Sequence, residues 1–250
     1  MTDKVLDYVA LDLETTGLSP RDDRIIEIGA VKYIGGVRTD SFACFVNPDI
    51  HIPERITEIT GIDDSMVSHA EYIDTALAGL LDFLGDMPVL GHNVAFDYGF
   101  VCQKALDMKI KYHTTGIDTH RISRILLAGL ESRSLESLCS YYNIVEEPRH
   151  RAFSDAAAAA RLYECLYSEA QRSEAQDYGS LFMPMDIVYT AKKDTPITPK
   201  QTAFLKSLIK QHGVALDKKI ESLTKSQASR EIDKICLLYT SPSPRDAHES

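Results

Sequence analysis

Along residues 8–14, YVALDLE, apolar and polar positions alternate, with Val9, Leu11 and Leu13 on one side and Tyr8, Ala10, Asp12 and Glu14 on the other. A period of two is the pattern of a β-strand, and Thr15, Thr16 and Gly17 end it in a turn. Residues 24–48 carry two β-branched runs around Gly35 and Gly36, a pair that accepts the positive φ angles of a tight antiparallel hairpin. Residues 71–86, EYIDTALAGLLDFLGD, switch to helical spacing and stop at Gly85. PVLGHN (88–93) reads as a short buried strand, and VAFDYGFVCQKALDM (94–108) as a helix with Asn93 as its N-cap. Residues 112–129 give a last strand running into a helix, 134–143 another helix, and 153–171, FSDAAAAARLYECLYSEAQ, a long alanine-rich helix. The sum is an α/β domain on a mixed five-stranded sheet flanked by helices, antiparallel at first and parallel once helical crossovers begin.

The pattern then breaks. Residues 173–196 lose periodicity and contain Pro184 and Pro196, which predicts a linker between a first domain, 1–172, and a small helical module, 197–236. In the module, 198–213 and 223–235 are amphipathic, with Gly213 as a stop and Thr224 as a cap, consistent with three small helices. The tail 237–250 ends in SPSPRDAHES, which predicts a disordered or non-native segment.

Hydrophobic residues at 44% and charged residues at 26% are ordinary for a folded globular protein. No run approaches the roughly 18 consecutive apolar residues of a membrane span, and MTDKVLDYVA places Asp3 and Asp7 where a signal peptide would be basic and then apolar. No membrane partner and a cytoplasmic location are therefore expected. Five widely spaced cysteines without a C-x-x-C pair read as reduced packing residues. The net charge of −10 argues against a protein that coats nucleic acid, but it divides unevenly: residues 1–191 carry −14, residues 192–236 carry +5 and residues 237–250 carry −1.

Asp12 and Glu14 point the same way at a strand end, and unit charges about 4 Å apart repel by roughly 4 kcal/mol at an effective dielectric near 20. No Lys or Arg lies in the strand to offset this, and oxygen-only ligation suits Mg²⁺ or Mn²⁺. Asp-x-Glu alone equally fits solvated acids at an exposed strand end. Asp97, one turn into a helix after a buried strand, equally fits an acid favoured by the helix dipole. His150 and Asp155, five residues apart, cannot share one helical face, so a common site requires His150 on the loop before the helix, where Pro148 also falls. His92 reads as a residue shaping its turn.

Taken together, Asp12-x-Glu14 in LDLETTG, Asp97 in GHNVAFD and His150-x4-Asp155 in HRAFSDA resemble, in order and spacing, the three motifs of the DEDDh 3′-to-5′ exonucleases. Among these the likeness is to the proofreading (epsilon) exonuclease subunit or domain of bacterial DNA polymerase III, over about residues 5–170. The resemblance implies a ribonuclease H-like fold and the histidine branch of the family. It also implies two Mg²⁺ ions, with Mn²⁺ as a substitute: Asp12, Glu14 and Asp155 on the first, Asp12 also on the second, and Asp97 on the second directly or through water. By the same resemblance His150 is the general base, Thr15 and Thr16 are substrate-binding candidates near the terminal 3′-OH, for which plain turn chemistry is an equal alternative, and Leu18 wedges against terminal bases; Phe96 is a candidate to line the same pocket, although a helix aromatic is more often core. The implied activity is removal of 5′-mononucleotides from single-stranded or frayed DNA 3′ ends, with proofreading as a role. A DNA polymerase or a sliding clamp is an implied partner, although QDYGSLF lacks the spacing of a clamp-binding peptide. RNA trimming, a non-catalytic end-binding scaffold and a ribonuclease H-type endonuclease are the alternatives.

Overall fold

The computed structural model describes residues 4–145, 150–172, 177–191, 195–216 and 218–240. The loop expected around Pro148 and residues 241–250 lie outside them. The chain divides into two compact units, Met1–Thr190 and Ala191–Ser250.

The first unit is built on strands β1 (Tyr8–Thr15), β2 (Ile25–Ile34), β3 (Val37–Phe45), β4 (Val89–Gly91), β5 (Thr115–Asp118) and β6 (Met185–Asp186). Their order in the sheet is β3-β2-β1-β4-β5-β6. The β2–β3 hairpin turns at Gly35 and Gly36, with φ of 59° and 77°, as the tight turn requires. β1 then pairs in parallel with β4, and β4 with β5, so the change from antiparallel to parallel falls at β1, where a ligand site is expected beyond the strand ends.

The alternation along β1 divides two cores. Val9, Leu11 and Leu13 pack with Leu77, Leu80, Phe100 and Val101, which belong to α3 (Ile73–Leu84) and α4 (Val94–Asp107). Tyr8 and Ala10 pack on the other face with Leu138, Leu162, Tyr163 and Leu166. These come from α6 (Leu135–Tyr142) and α7 (Ala152–Gln171), with α5 (Thr119–Leu126) completing that layer. The short helices α1 (Glu54–Thr60) and α2 (Asp64–Val67) close a smaller cluster around Ile26, Ile52, Ile62 and Val67. The helix starts are held in different ways. Ser134 caps α6 by accepting from the Ser137 amide, whereas Asn93 precedes α4 in a left-handed conformation without a side-chain cap bond.

The alanines of α7 have a structural purpose: Ala152, Ala156, Ala157, Ala159 and Ala160 are buried and let the helix backbone lie close to the sheet. The closest approach is at Gly29, the partner of Asp12 on β2. A Cβ built on Gly29 would stand 2.1 Å from the carbonyl carbon of Ala152 and 2.1 Å from the Phe153 nitrogen, so only glycine admits the first turn of α7.

The stretch expected to be a linker is in part structural. Residues Gly179–Phe182 form a 3-10 turn, Phe182 is fully buried against Tyr163 and Tyr167, and β6 pairs with β5 as a sixth strand. Ile187 fills the space beside Gly116. These are single apolar anchors separated by polar residues, and a two-residue strand carries no detectable period.

The second unit contains α8 (Pro199–His212), a 3-10 turn (Ile220–Ser222) and α9 (Lys225–Thr240), two helices where three were expected. Leu205, Leu208, Leu223, Ala228 and Ile235 form its core. Thr198 and Gln201 make a reciprocal capping box, Thr224 caps α9 through the Gln227 amide, and Gly213 ends α8 at φ 67°. The helix α9 continues through Thr240, four residues into the stretch expected to lack structure.

Substituting Gly29→Ala forces α7 off the sheet, and overpacking of this kind costs about 1–3 kcal/mol. Urea unfolding is expected to show a lower midpoint with an unchanged slope; a variant as stable as the parent would show that α7 has room there.

Candidate active site

Two carboxylates project from the end of β1 and a third descends on them from α7. Asp12 and Glu14 share the α7-facing side of β1, and Asp155 is the fourth residue of α7. Carboxylate oxygens of Asp12, Glu14 and Asp155 all lie within 4.8 Å of one another, each residue half-buried.

The placement of α7 depends on a fourth acid that the motif reading did not single out. Glu27 on β2 is the cross-strand partner of Glu14 and is buried. Its carboxylate accepts from Arg151 Nε at 3.0 Å and Arg151 Nη2 at 2.7 Å, and from the Ala152 backbone amide at 3.0 Å. One guanidinium and one helix-start amide therefore bind Glu27 and fix the entry of α7, while Gly29 supplies the room. The sequence carried only part of this signal: Arg151 adjoins His150, but the Gly35–Gly36 turn sets Glu27 against Phe45 on β3, and the β1–β2 register that sets it opposite Glu14 is made through the loop 16–24.

Asp97 reaches the strand from α4. It is 4% exposed, and its Oδ1 accepts from the Leu13 amide at 3.0 Å, past the end of β4. It is not one of the three acids that converge within 4.8 Å, but its charge acts on Asp12.

This electrostatic load is visible in the acids themselves. Burial, reinforced by Asp97, Asp155 and Glu14, pushes the Asp12 carboxyl well above the usual range. Burial and then Asp155 and Glu27 push Glu14 up to about 7, against a smaller lowering by Arg151. Burial pushes Asp97 to about 8, opposed by the amide bonds it accepts. Groups held this far from their ordinary values cluster at functional sites. An oxygen-only set of three converging acids fits a hard divalent cation.

His150 lies on the loop before α7, as the five-residue offset from Asp155 requires. It is exposed and adopts φ 54°, a left-handed conformation uncommon for a residue with a Cβ. With Asp12, Asp155, His92, Ser134 and Glu136 it lines a cavity of about 240 Å³. His92, expected to shape its own turn, instead reaches distant segments: Nε2–H donates to the Arg133 carbonyl at 2.8 Å and Nδ1 lies 3.0 Å from Thr119 Oγ1 at the start of α5. Burial lowers its pKa, which keeps the ring neutral.

The four residues expected to bind substrate do not line that cavity. Thr15 and Thr16 are buried; the Thr15 hydroxyl donates to the Gly17 carbonyl at 2.7 Å and the Thr16 hydroxyl accepts from the Arg24 amide at 2.9 Å. Both thus build the turn. Leu18 is 85% exposed at its tip. Phe96 is half-buried and turns toward the sheet core, with its ring 5.1 Å from that of Phe100.

Known proteins share both the sequence and the fold. The family model RNase_T, described as Exonuclease, matches residues 9–163. The chain is 40% identical over 163 residues to the DNA polymerase III PolC-type protein of Clostridium perfringens, a match covering 65% of this chain and 11% of that protein. The chain thus spans about a tenth of the length of this relative. Among solved structures, Exonuclease X in complex with 5′ overhanging duplex DNA is similar with a TM-score of 0.55 at 22% identity, over 70% of this chain and 99% of that one. The nuclease domain of 3′hExo, a DEDDh family member bound to rAMP, gives 0.57 at 19% identity, over 66% and 92%. At these identities the two structures establish a shared ribonuclease H-like α/β fold. The family match spans Asp12, Glu14, Asp97, His150 and Asp155, and the chain belongs to the exonuclease family.

Proposed function

We propose that this chain is a divalent-metal-dependent 3′-to-5′ exonuclease that hydrolyses phosphodiester bonds at DNA 3′ ends and releases 5′-mononucleotides. The observation that carries the reading is the convergence of Asp12, Glu14 and Asp155 within 4.8 Å, beside a cavity that Asp12 and Asp155 share with His150. Asp12, Glu14 and Asp155 hold one Mg²⁺, with Mn²⁺ as a substitute, and Asp12 with Asp97 holds a second. Bound cations supply neutralisation of the acids and polarisation of the phosphoryl group.

The remaining work falls to the chain. Asp97, fixed by the Leu13 amide, keeps α4 at the end of β1. His150, on the exposed rim of the cavity, accepts the proton of the attacking water at an imidazole nitrogen. Leu18 offers an apolar tip against the terminal base, and Thr15 and Thr16 hold the turn that presents it. Phe96 supports the same region through the core rather than by touching substrate.

The PolC-type relatives favour a proofreading role beside a DNA polymerase, and the overhanging DNA in the Exonuclease X structure favours a single-stranded or frayed end. No described helix is long and apolar enough to cross a membrane, which is compatible with the proposed cytoplasmic location. RNA trimming is a second reading, favoured by the rAMP in the 3′hExo structure. Matched deoxyribo- and ribo-oligomers separate the two.

A 5′-labelled single strand with Mg²⁺ is expected to yield a ladder shortening from its 3′ end, while chelator or a blocked 3′ end stops it. Asp12→Ala or Asp155→Ala is expected to abolish hydrolysis with the fold retained; substantial turnover by either purified variant sinks the assignment. His150→Ala should slow the reaction by about 10²- to 10⁴-fold, the usual range for a lost general base, and an undiminished rate removes the role.

The raised acids also make stability depend on pH. Glu14 and Asp97 have folded-state pKa values raised to about 7 and about 8, so in this range the folded chain holds protons that the unfolded chain has released. Their contribution to stability is complete below pH 4 and is lost as pH rises through 7 and 8. Thermal melts in chelator are expected to show a lower Tm at pH 8 than at pH 5. Mg²⁺ or Mn²⁺ should reduce that fall and Glu14→Gln should flatten it; a chelated Tm that climbs over this interval contradicts the account.

A further inference from the structure

The basic charge of the chain lies outside the catalytic unit. Residues 1–190 hold 16 Lys/Arg and 30 Asp/Glu, net −14, whereas residues 191–250 hold 11 and 7, net +4. A strand of nucleic acid entering the active site therefore approaches an acidic unit, while the same chain carries a small basic unit.

The lysines of that unit are placed for an outside partner. Lys200, Lys210, Lys218, Lys219 and Lys225 are exposed and have no ion-pair partner among the described residues, whereas Lys206 is held by Glu221 at 2.9 Å. Lys200 and Lys225 fall in the first turns of α8 and α9, where the helix dipole disfavours a cation, so helix stability does not account for them. The two helix starts are neighbours: Gln201 Nε2 donates to the Lys225 carbonyl at 2.8 Å and to Ser229 Oγ at 2.9 Å. Like charges are thereby brought to one end of the helix pair. Phe204, four residues after Lys200, is 50% exposed and is not among the apolar side chains packed in the core of the unit. Unpaired lysines beside an exposed aromatic ring match the chemistry of a single strand, with its phosphates and stackable bases.

The point of attachment, within the catalytic unit alone, is consistent with this use. Tyr189, next to the last residue of that unit, donates from its hydroxyl to Gln103 Oε1 at 2.7 Å. Its ring covers Gly99 together with Pro20: a methyl group added there would stand 3.5 Å from Tyr189 Cδ2 and 3.3 Å from Pro20 Cγ. Pro20 belongs to the loop that carries Leu18. The chain thus leaves the catalytic unit beside the loop proposed to meet the terminal base.

We infer that the C-terminal helical unit is a tether for single-stranded nucleic acid, with its lysines on backbone phosphates and Phe204 stacked on a base. The inference rests on the nuclease reading for the identity of the polyanion. Tethering raises the local concentration of strand at the acidic catalytic unit without any contact made by the reacting end.

The test uses the full chain in chelator, with fluorescein-labelled oligothymidylate and oligouridylate followed by anisotropy over a range of salt. Replacing three lysines together, Lys200→Gln, Lys210→Gln and Lys225→Gln, is expected to weaken binding about tenfold at low salt and to lower the slope of log K against log salt by about 2, at roughly 0.7 per phosphate contact on a single strand. Phe204→Ala is expected to weaken binding with the slope unchanged. Both variants should retain the parent's Tm and, with Mg²⁺, its rate on the short ester thymidine 5′-(p-nitrophenyl) phosphate, which has no strand to tether. Unchanged affinity and slope overturn the inference and leave the lysines to an acidic protein partner. Dependence on one oligomer only overturns the phosphate assignment. A parent chain that binds through these lysines but hydrolyses neither ester nor oligomer sinks the nuclease reading and leaves the tether standing.

Discussion

The site depends on one close approach, the first turn of α7 against β2 at Gly29. Asp12 and Glu14 are local to β1 and take their direction from the pleat alone. Asp155 and His150 are not local; they meet the strand acids only because the backbone at Ala152 and Phe153 lies where any side chain at position 29 would stand. The Glu27 carboxylate then fixes this entry by binding Arg151 and the Ala152 amide at once. Space acts at Ala152 and Phe153 and charge at Arg151 and Ala152, so the start of α7 is fixed in height and in rotation together.

The same arrangement governs which acids remain available. Glu27 lies next to Glu14 across the ladder, and its oxygens are taken by Arg151 and a backbone amide. Burial raises the carboxyls of the neighbouring acids Asp12, Glu14 and Asp97 above their ordinary values, which disfavours their ionised forms. A divalent ion reverses that balance by favouring the ionised forms. Folding holds the acids together against repulsion, and a cation held there would relieve what folding has imposed.

Much of this was legible along the chain, in proportion to how local each feature is. The alternation of YVALDLE assigned each side chain of β1 to the correct face, and the double glycine placed the hairpin. The offset between His150 and Asp155 put the histidine on the loop before α7. What sequence did not show was set by contacts far apart in the chain. The Glu27–Arg151 pair spans more than a hundred residues, and β6 is too short to carry a period, so its stretch reads as a linker. Asn93 resembles a cap in sequence, but its left-handed backbone carries no side-chain cap, and its amide donates instead to Asp118 on β5. Phe96 packs inward because one turn of α4 presents it to Phe100 rather than to the cavity.

The late position of α7 also bears on the chain as it leaves the ribosome. A nascent polypeptide that stops short of this helix already contains Asp12, Glu14 and Asp97, but has no third carboxylate to join the strand pair. The strand that covers the free edge of β5 emerges later still. The carboxylate cluster is therefore incomplete while the chain is being made and closes only once α7 has docked.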